Sequence, residues 1–183
     1  MRKWILAFGV LLVGLLAVGQ VVSAAETQVY RNEVLKSEIV VPKDWKTHDD
    51  GKMQGIKSPD GKLGIVIASR QIPSLYRIKP QGKFTLDVCS EQERDDFLSD
   101  LKKDLFSVKS WDGQSESGWT KTKSGHSVAY VVLRRASNDI AVYSLVLIYD
   151  KQIITLYAMG LPGEAFDKNR EKLESMAKTL KVG

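Results

Sequence analysis

The chain contains two histidines, His48 and His126, which are the natural candidates for acid–base chemistry because imidazole titrates near neutral pH. His48 precedes Asp49 and Asp50, and an imidazole with carboxylates could hold a metal ion. Consecutive residues rarely converge on one ion, so a polar turn is the favoured interpretation. His126 directly follows a glycine, which favours the start of a solvated strand. We therefore predict neither a catalytic residue nor a metal site, while a Ser-His-Asp arrangement built from distant residues stays open.

The segment from Gln71 to Phe84 is the first candidate for a binding surface. It is long for a loop in a compact domain, and such loops often carry function. It mixes aromatic with cationic side chains, which suits an acidic partner or an anionic surface. The predicted partner-binding residues of this loop are Tyr76, Arg77, Lys79, Lys83 and Phe84. An ordinary solvated loop is the alternative.

Two tryptophans, Trp45 and Trp119, are the second candidate for partner binding. Both lie near the ends of predicted elements, and Trp119 shares its strand face with Ser117 and Lys121. An indole at a polar edge can line a pocket or an interface. It can equally close the rim of a hydrophobic core. Phosphate-cradling glycine motifs and calcium-loop spacing are missing from the sequence, and no cofactor is predicted.

The first 24 residues have the pattern of a secretory signal peptide. Arg2 and Lys3 precede an uncharged, largely apolar stretch, and the small residues that end it suit cleavage after Ala24 or Ala25. We therefore predict an exported protein, in the periplasm or outside the cell, with a signal peptide at 1–24. An uncleaved anchor is the alternative, because the uncharged stretch approaches the roughly 20 residues that span a bilayer.

Residues 25–183 are predicted to form one domain, since no linker or repeat divides them. The formal charge falls from +5 to +3 once the leader is removed, and no basic run with interleaved aromatics appears. Nucleic acid is therefore not a predicted partner. Cys89 is the only cysteine, so an intrachain disulfide is excluded. After signal cleavage no membrane span is predicted, because Asp150 and Lys151 interrupt the remaining apolar stretch.

Alternation and turn residues predict an α+β fold built on an antiparallel sheet. A capping-box pattern from Ser90 to Glu93 predicts a middle helix that reaches about Phe106, and a second helix is predicted at 164–180. Strands are predicted at 37–41, 54–57, 63–72, 115–123, 126–136, 140–149 and 152–159.

The last four predicted strands are joined by short connections and form an antiparallel meander. In strand 140–149 both alternating sets of side chains are apolar, whereas a strand with one face in water alternates apolar with polar residues. These strands are therefore predicted to be covered on both faces. One helix on each face makes an α/β/α sandwich.

The run Ile39-Val40-Val41-Pro42-Lys43-Asp44-Trp45 resembles the opening of the PsbP-like superfamily. The mid-chain helix, the long meander and the amphipathic helix that runs into Thr179-Leu180-Lys181-Val182 are also similar to that superfamily. The resemblance implies an α/β/α sandwich around an antiparallel sheet. Its known members are mostly binding or assembly proteins: a photosystem II extrinsic subunit, a Ran-binding nuclear import factor, and small exported bacterial proteins of undefined role. It implies no catalytic residues.

The sequence therefore predicts an exported, non-enzymatic binding or assembly domain with a protein partner or a small ligand. Two alternatives stay open. One is a hydrolytic or metal-assisted enzyme whose site is built from scattered residues. The other is a structural protein tethered to the cell envelope by an uncleaved leader.

Overall fold

The computed structural model describes residues 26–49, 54–107, 111 and 116–183, and these contain two antiparallel sheets and three α-helices. The predicted α+β class is confirmed. The helices are α1 (Thr85–Val88), α2 (Glu91–Ser107) and α3 (Gly163–Ala177). The strands are β1 (Thr27–Asn32), β2 (Ser37–Pro42), β3 (Lys46–Asp49), β4 (Gln54–Lys57), β5 (Leu63–Gln71), β6 (Ser117–Lys121), β7 (Ser127–Arg135), β8 (Ile140–Tyr149), β9 (Gln152–Gly160) and β10 (Lys181–Val182).

The larger sheet has seven strands in the order β3-β4-β5-β9-β8-β7-β6. The predicted meander of β6 to β9 is confirmed, and β5 pairs with β9 along its whole length. The turn between β8 and β9 consists of Asp150 and Lys151, whose φ angles of 44° and 65° are left-handed. Two successive left-handed residues suit a tight hairpin because their twist matches that of the paired strands.

The two long helices begin close to where the sequence predicts. At the start of α2, the Glu93 carboxylate accepts the Ser90 N–H at 2.8 Å and the Ser90 hydroxyl accepts the Glu93 N–H at 3.3 Å, which is the predicted capping box. Helix α3 ends at Ala177, three residues before the predicted end of the helix at Leu180. Residues 178–180 form a turn, and Lys181 and Val182 then pair with β2.

The smaller sheet has the order β1-β2-β10 and brings the two ends of the described chain together. Strand β1 was not predicted. Arg31 and Lys181 both lie opposite Glu38 in this sheet, on either side of it. Cross-strand neighbours of this kind have side chains on one face, so the three charged groups are close together.

Side chains along β8 alternate between two buried clusters, as the two-sided apolar pattern predicts. The first cluster also holds Phe166 and Leu173 of α3, and the second holds Leu86, Phe97 and Leu101 of α1 and α2. The β8 members of the first cluster are Ala141, Tyr143, Leu145 and Leu147, and those of the second are Val142, Val146 and Ile148. No helix among the described residues has both the length and the apolar content needed to span a membrane.

Candidate binding site

The predicted binding loop lies against α2 and is held there by Arg77. The Asp100 carboxylate accepts hydrogen bonds from the Arg77 backbone N–H, Nε and Nη2, each at 3.0 Å. Arg77 Nη1 also lies 2.8 Å from the Asp96 carboxylate. Burial raises the pKa of the Asp100 carboxyl, but the bonds and charge of Arg77 outweigh burial and lower it overall.

Tyr76 provides a second attachment of the same loop. Its side chain is 6% exposed, and its hydroxyl donates to Asp104 at 2.8 Å. Asp104 also forms an ion pair with Arg70. Burial and then the bond to Asp104 raise the pKa of Tyr76, so its hydroxyl stays protonated at neutral pH. Tyr76 and Arg77 thus fix the loop, and their participation in partner binding stays a prediction.

Trp45 and Trp119, the predicted tryptophan pair, lie in different environments. Trp45 is 4% exposed and belongs to the first buried cluster, so little of its surface is accessible to a partner. Trp119 packs at the edge of the second cluster. Its ring lies 6.2 Å from that of Phe97, and the Arg94 guanidinium lies 5.9 Å from its centre. The structure does not bring the two tryptophans into one site.

Lys83 and Phe84, at the end of the loop, join His126 in a cluster that we call the aromatic rim. The rings of Phe84 and His126 stack with centres 3.5 Å apart, and the Tyr149 ring meets Phe84 edge-on at 5.0 Å. Lys83 Nζ lies 5.7 Å from the centre of the Tyr149 ring, within range of a cation–π interaction. The rim consists of Lys83, Phe84, His126 and Tyr149.

Asp87 orients the imidazole of the rim. Its carboxylate lies 2.8 Å from His126 Nδ1 and accepts the Ser127 N–H at 2.6 Å. Burial raises the pKa of Asp87, but the bonds from Ser127 and His126 outweigh burial and lower it overall. Asp87 is therefore ionised at neutral pH, and an ionised carboxylate only accepts hydrogen bonds. His126 Nδ1 is consequently the donor, which leaves Nε2 unbonded to the described residues.

A cleft of about 630 Å³ adjoins the rim, and we call it the basic cleft. His126 lines the cleft, as does Gly183, on which a Cβ would lie 3.0 Å from the Tyr149 hydroxyl. Three cationic side chains and two carboxylates also line it. The lining residues are Arg31, Asn32, Glu33, Lys36, Ser37, Glu38, Ser124, His126, Lys181, Val182 and Gly183.

Glu38 is the carboxylate between the cations of this cleft. It lies 3.2 Å from Lys181 Nζ and 3.4 Å from Arg31 Nε. Hydrogen bonds from Lys181 and Arg31 lower the pKa of the Glu38 carboxyl. Lys36, at the turn between β1 and β2, has no hydrogen-bonded or ionic side-chain partner among the described residues.

Ser37 is, with Asn32, one of the two buried polar residues that line the cleft. Its side chain is 4% exposed, and its hydroxyl has no hydrogen-bond partner among the described residues. A buried hydroxyl without a partner costs free energy, and Ser37, consecutive with Glu38 in β2, directs its side chain to the opposite face of the sheet from the charged groups of the cleft.

Sequence reasoning missed the basic cleft because its residues lie at both ends of the described chain. Arg31 and Lys181 are 150 positions apart and meet only through the pairing of β10 with β2. No local pattern signals that pairing. His126 was recognised as a candidate, but its partner Asp87 was not.

The backbone of His48 and Asp49 belongs to β3, whereas Asp50 lies outside the described residues. Within the described ranges, no three His, Cys, Asp or Glu side chains are grouped closely enough to hold a metal ion. Cys89 is buried, and its thiol lies 3.2 Å from the Thr85 carbonyl.

The chain matches no protein-family model and no curated protein. Among solved structures it is similar to the solution structure of cyanobacterial PsbP (CyanoP) from Synechocystis sp. PCC 6803, with a TM-score of 0.53 and 15% identity over 93% of this chain and 100% of that one. The chain has a PsbP-like fold. The chain is also similar to the Saccharomyces cerevisiae Ran-binding protein Mog1p, with a TM-score of 0.50 and 6% identity over 87% of this chain and 96% of that one.

Proposed function

We propose that this chain is an exported, non-enzymatic binding or assembly domain whose partner contacts the basic cleft and the aromatic rim. The observation that carries the proposal is the meeting of cationic side chains from β1, β10 and the loop 72–84 beside the half-buried aromatic rings of the rim. Such a surface attracts a negatively charged partner, because complementary charge speeds encounter and selects against positively charged molecules.

The fold is compatible with this function. Of the two similar proteins, Mog1p is a Ran-binding protein. We also propose that the seven-stranded sheet is the middle layer of an α/β/α sandwich, with α3 on one face and α1 and α2 on the other. The alternation of β8 side chains between two clusters, each containing helix residues, supports this arrangement.

The loop lysines provide a test of the proposed function. We expect the Lys79→Glu, Lys83→Glu double variant to capture about tenfold less partner from an extract of the native compartment, because charge reversal repels an acidic surface. Both lysines are exposed, so the fold should not change. The measurement is quantitative capture on the immobilised exported protein, with bound molecules identified by mass spectrometry.

The matched control reverses two lysines of the β4–β5 hairpin, Lys57→Glu and Lys62→Glu. It makes the same change in net charge on another exposed part of the chain. Capture should remain at the wild-type level in this control. Equal loss in both double variants would show that net charge, rather than the proposed surface, determines capture.

Export is a separate part of the proposal. N-terminal sequencing of the exported protein is expected to read from Ala25 or Glu26, because the small residues before these positions suit signal peptidase. A start at Met1 would instead support the envelope-tethered structural protein.

The pair of Asp87 and His126 favours a second candidate function, an acid–base hydrolase acting at the cleft. A carboxylate that orients an imidazole is a recurring catalytic arrangement. The Ser124 hydroxyl bonds to Thr122 at 3.0 Å, and among the described residues no hydroxyl or thiol is hydrogen-bonded to His126 Nε2. Hydrolysis of ester or phosphoester substrates that is lost in both His126→Ala and Asp87→Asn would establish this enzyme.

A further inference from the structure

We propose that the free edge of β1 binds an extended, acidic peptide segment of a partner protein, which pairs with β1 as an additional strand of the smaller sheet. The inference goes beyond the proposed function, because it concerns a second cleft and depends mainly on backbone hydrogen bonds. Arg31 lines both clefts, whereas the loop 72–84 and the aromatic rim contribute no residue to the second one.

The backbone of β1 presents alternate residues to this edge. Strand β1 ends the sheet order β1-β2-β10, so β2 is its strand partner within the described part of the chain. Opposite Val29 lies Val40, whose N–H donates to the Thr179 hydroxyl at 2.8 Å and therefore points away from β1. In an antiparallel pair, the residue opposite such a partner also directs its own N–H and C=O groups outward. The backbone groups of Thr27, Val29 and Arg31 consequently face the free edge.

Hydrogen bonding at the start of the strand gives the same alternation. The Lys43 N–H donates to the Glu26 carbonyl at 2.8 Å, so Glu26 faces β2 and the next residue, Thr27, faces the edge. The outward N–H groups of Val29 and Arg31 have no hydrogen-bond acceptor among the described residues. An exposed row of this kind can pair with an added strand, whose main-chain hydrogen bonds then supply the affinity.

The other sheet edges have features that disfavour strand addition. Edge strands are commonly protected by charged side chains or by being very short. Strand β3 contains Lys46, His48 and Asp49 among its four residues, and β10 is two residues long. Strand β6 contains a glycine, which weakens a strand interior, and ends in Lys121. Strand β1 has six residues, no proline and one charge, and its Val29 side chain is 49% exposed.

A cleft of about 570 Å³ lies along β1 and provides room for the added strand. It is lined by four consecutive residues of β1, by Lys46 and Thr47 of β3, and by the buried side chains of Trp45 and Ile56. The four β1 residues are Gln28, Val29, Tyr30 and Arg31. Because β3 bounds the cleft opposite the edge of β1, the cleft suits a single extended peptide better than the sheet edge of a second folded copy.

Charge indicates which side chains the peptide carries. The charged groups among the described lining residues are Lys46 and Arg31, and no carboxylate is among them. Arg31 pairs with Glu38, whereas Lys46 has no ionic partner among the described side chains. Lys57 lies directly opposite Lys46 in the pairing of β3 with β4, and like charges in this position repel each other. An acidic side chain of the peptide beside Lys46 relieves this repulsion.

The probe is a short synthetic peptide in which valine and threonine alternate around a central glutamate, with the corresponding lysine peptide as its charge control. Binding to the exported protein is followed by ¹H–¹⁵N NMR, and hydrogen exchange of the β1 amides is measured with and without peptide. We expect saturable binding that slows exchange of the Val29 and Arg31 amides about tenfold near saturation, because a bound strand accepts their hydrogen bonds. Exchange of the Gln28 and Tyr30 amides, which already face β2, should change less than about twofold.

Val29→Pro is the variant that blocks the edge. It removes an outward N–H without removing a hydrogen bond to β2, and proline is tolerated on edge strands in this orientation. It should weaken peptide binding about tenfold, because a hydrogen bond is lost and the ring hinders close approach. Val29→Thr keeps the N–H and is the matched control, with binding within about twofold of the wild type. If Val29→Pro does not fold, the exchange pattern of the wild type decides.

The charge preference is tested by Lys46→Glu. This variant should weaken binding of the glutamate peptide about threefold and strengthen binding of the lysine peptide by a similar factor. Lys62→Glu reverses an exposed lysine outside this cleft and should leave both affinities unchanged.

Three results would overturn the inference: no saturable binding of either peptide, equal protection of the Gln28 and Val29 amides, or wild-type affinity in a folded Val29→Pro variant. Sedimentation velocity of the protein alone examines the alternative occupant. A concentration-dependent dimer that Val29→Pro abolishes would mean that the edge pairs with a second copy instead of a peptide. Failure here is distinguishable from failure of the proposed function, because partner capture through Lys79 and Lys83 does not depend on the edge of β1.

Discussion

Replacing Gly160 by alanine is expected to lower the free energy of unfolding by about 3 kcal/mol, the upper part of the range for overpacking. A Cβ on Gly160 would lie 2.4 Å from the Phe166 backbone nitrogen and 2.7 Å from its Cα and Cβ. These atoms cannot move independently, because Phe166 is fully buried in the first cluster and Gly160 is paired with strands on both sides. Denaturation by urea, followed by circular dichroism, gives the measurement.

Gly64→Ala is the matched control for this substitution. Gly64 is also a strand glycine of the larger sheet, but a Cβ on it would meet no atom closer than 3.6 Å. Both variants restrict the unfolded chain equally, which by itself stabilises a protein by about 0.4–1 kcal/mol. The control should therefore be as stable as the wild type or slightly more so. If Gly160→Ala were as stable as Gly64→Ala, α3 could not pack against the end of β9 as described.

Local patterns were sufficient to predict the central part of the fold. Three features were predictable in this way: the two-sided apolar pattern of β8, the turn at Asp150 and Lys151, and the capping box at Ser90. Each is indicated by a few consecutive residues, because the alternation of a strand, the geometry of a turn and the capping of a helix depend on neighbouring residues. Strand β1 has a weaker signal, because Thr27, Gln28 and Asn32 dilute its apolar alternation.

The candidate site was less predictable, because long-range strand pairing creates it. The loop 72–84 was recognised by its length and composition, but its attachment to α2 through Asp100 and Asp104 has no signature in the sequence. The basic cleft needs β10 beside β2, and a two-residue strand is too short to show alternation. The sequence can therefore identify a lysine or an arginine as a candidate for binding. Which of these side chains lie together is determined by the pairing of strands that are distant in the sequence.

Asp100→Ala is expected to lower the free energy of unfolding by about 2–3 kcal/mol at pH 7. The carboxylate is 3% exposed and accepts three hydrogen bonds from Arg77, so its removal leaves the Arg77 backbone N–H without an acceptor. The guanidinium is half exposed and can return to water, which keeps the loss below that of a fully buried ion pair. Release of the loop should also weaken partner capture by Lys79 and Lys83.

Acid pH should reduce this difference between Asp100→Ala and the wild type. The pKa of Asp100 is lower in the folded protein than the value of about 3.9 for an unfolded aspartate. Its contribution is therefore complete above that value and is lost as the pH falls through the folded pKa. Asp95→Ala, which removes an exposed carboxylate from the same helix, should cost less than about 0.5 kcal/mol at pH 7. A stability difference for Asp100→Ala that stayed constant under acid titration would mean that the Asp100 charge does not hold the loop on α2.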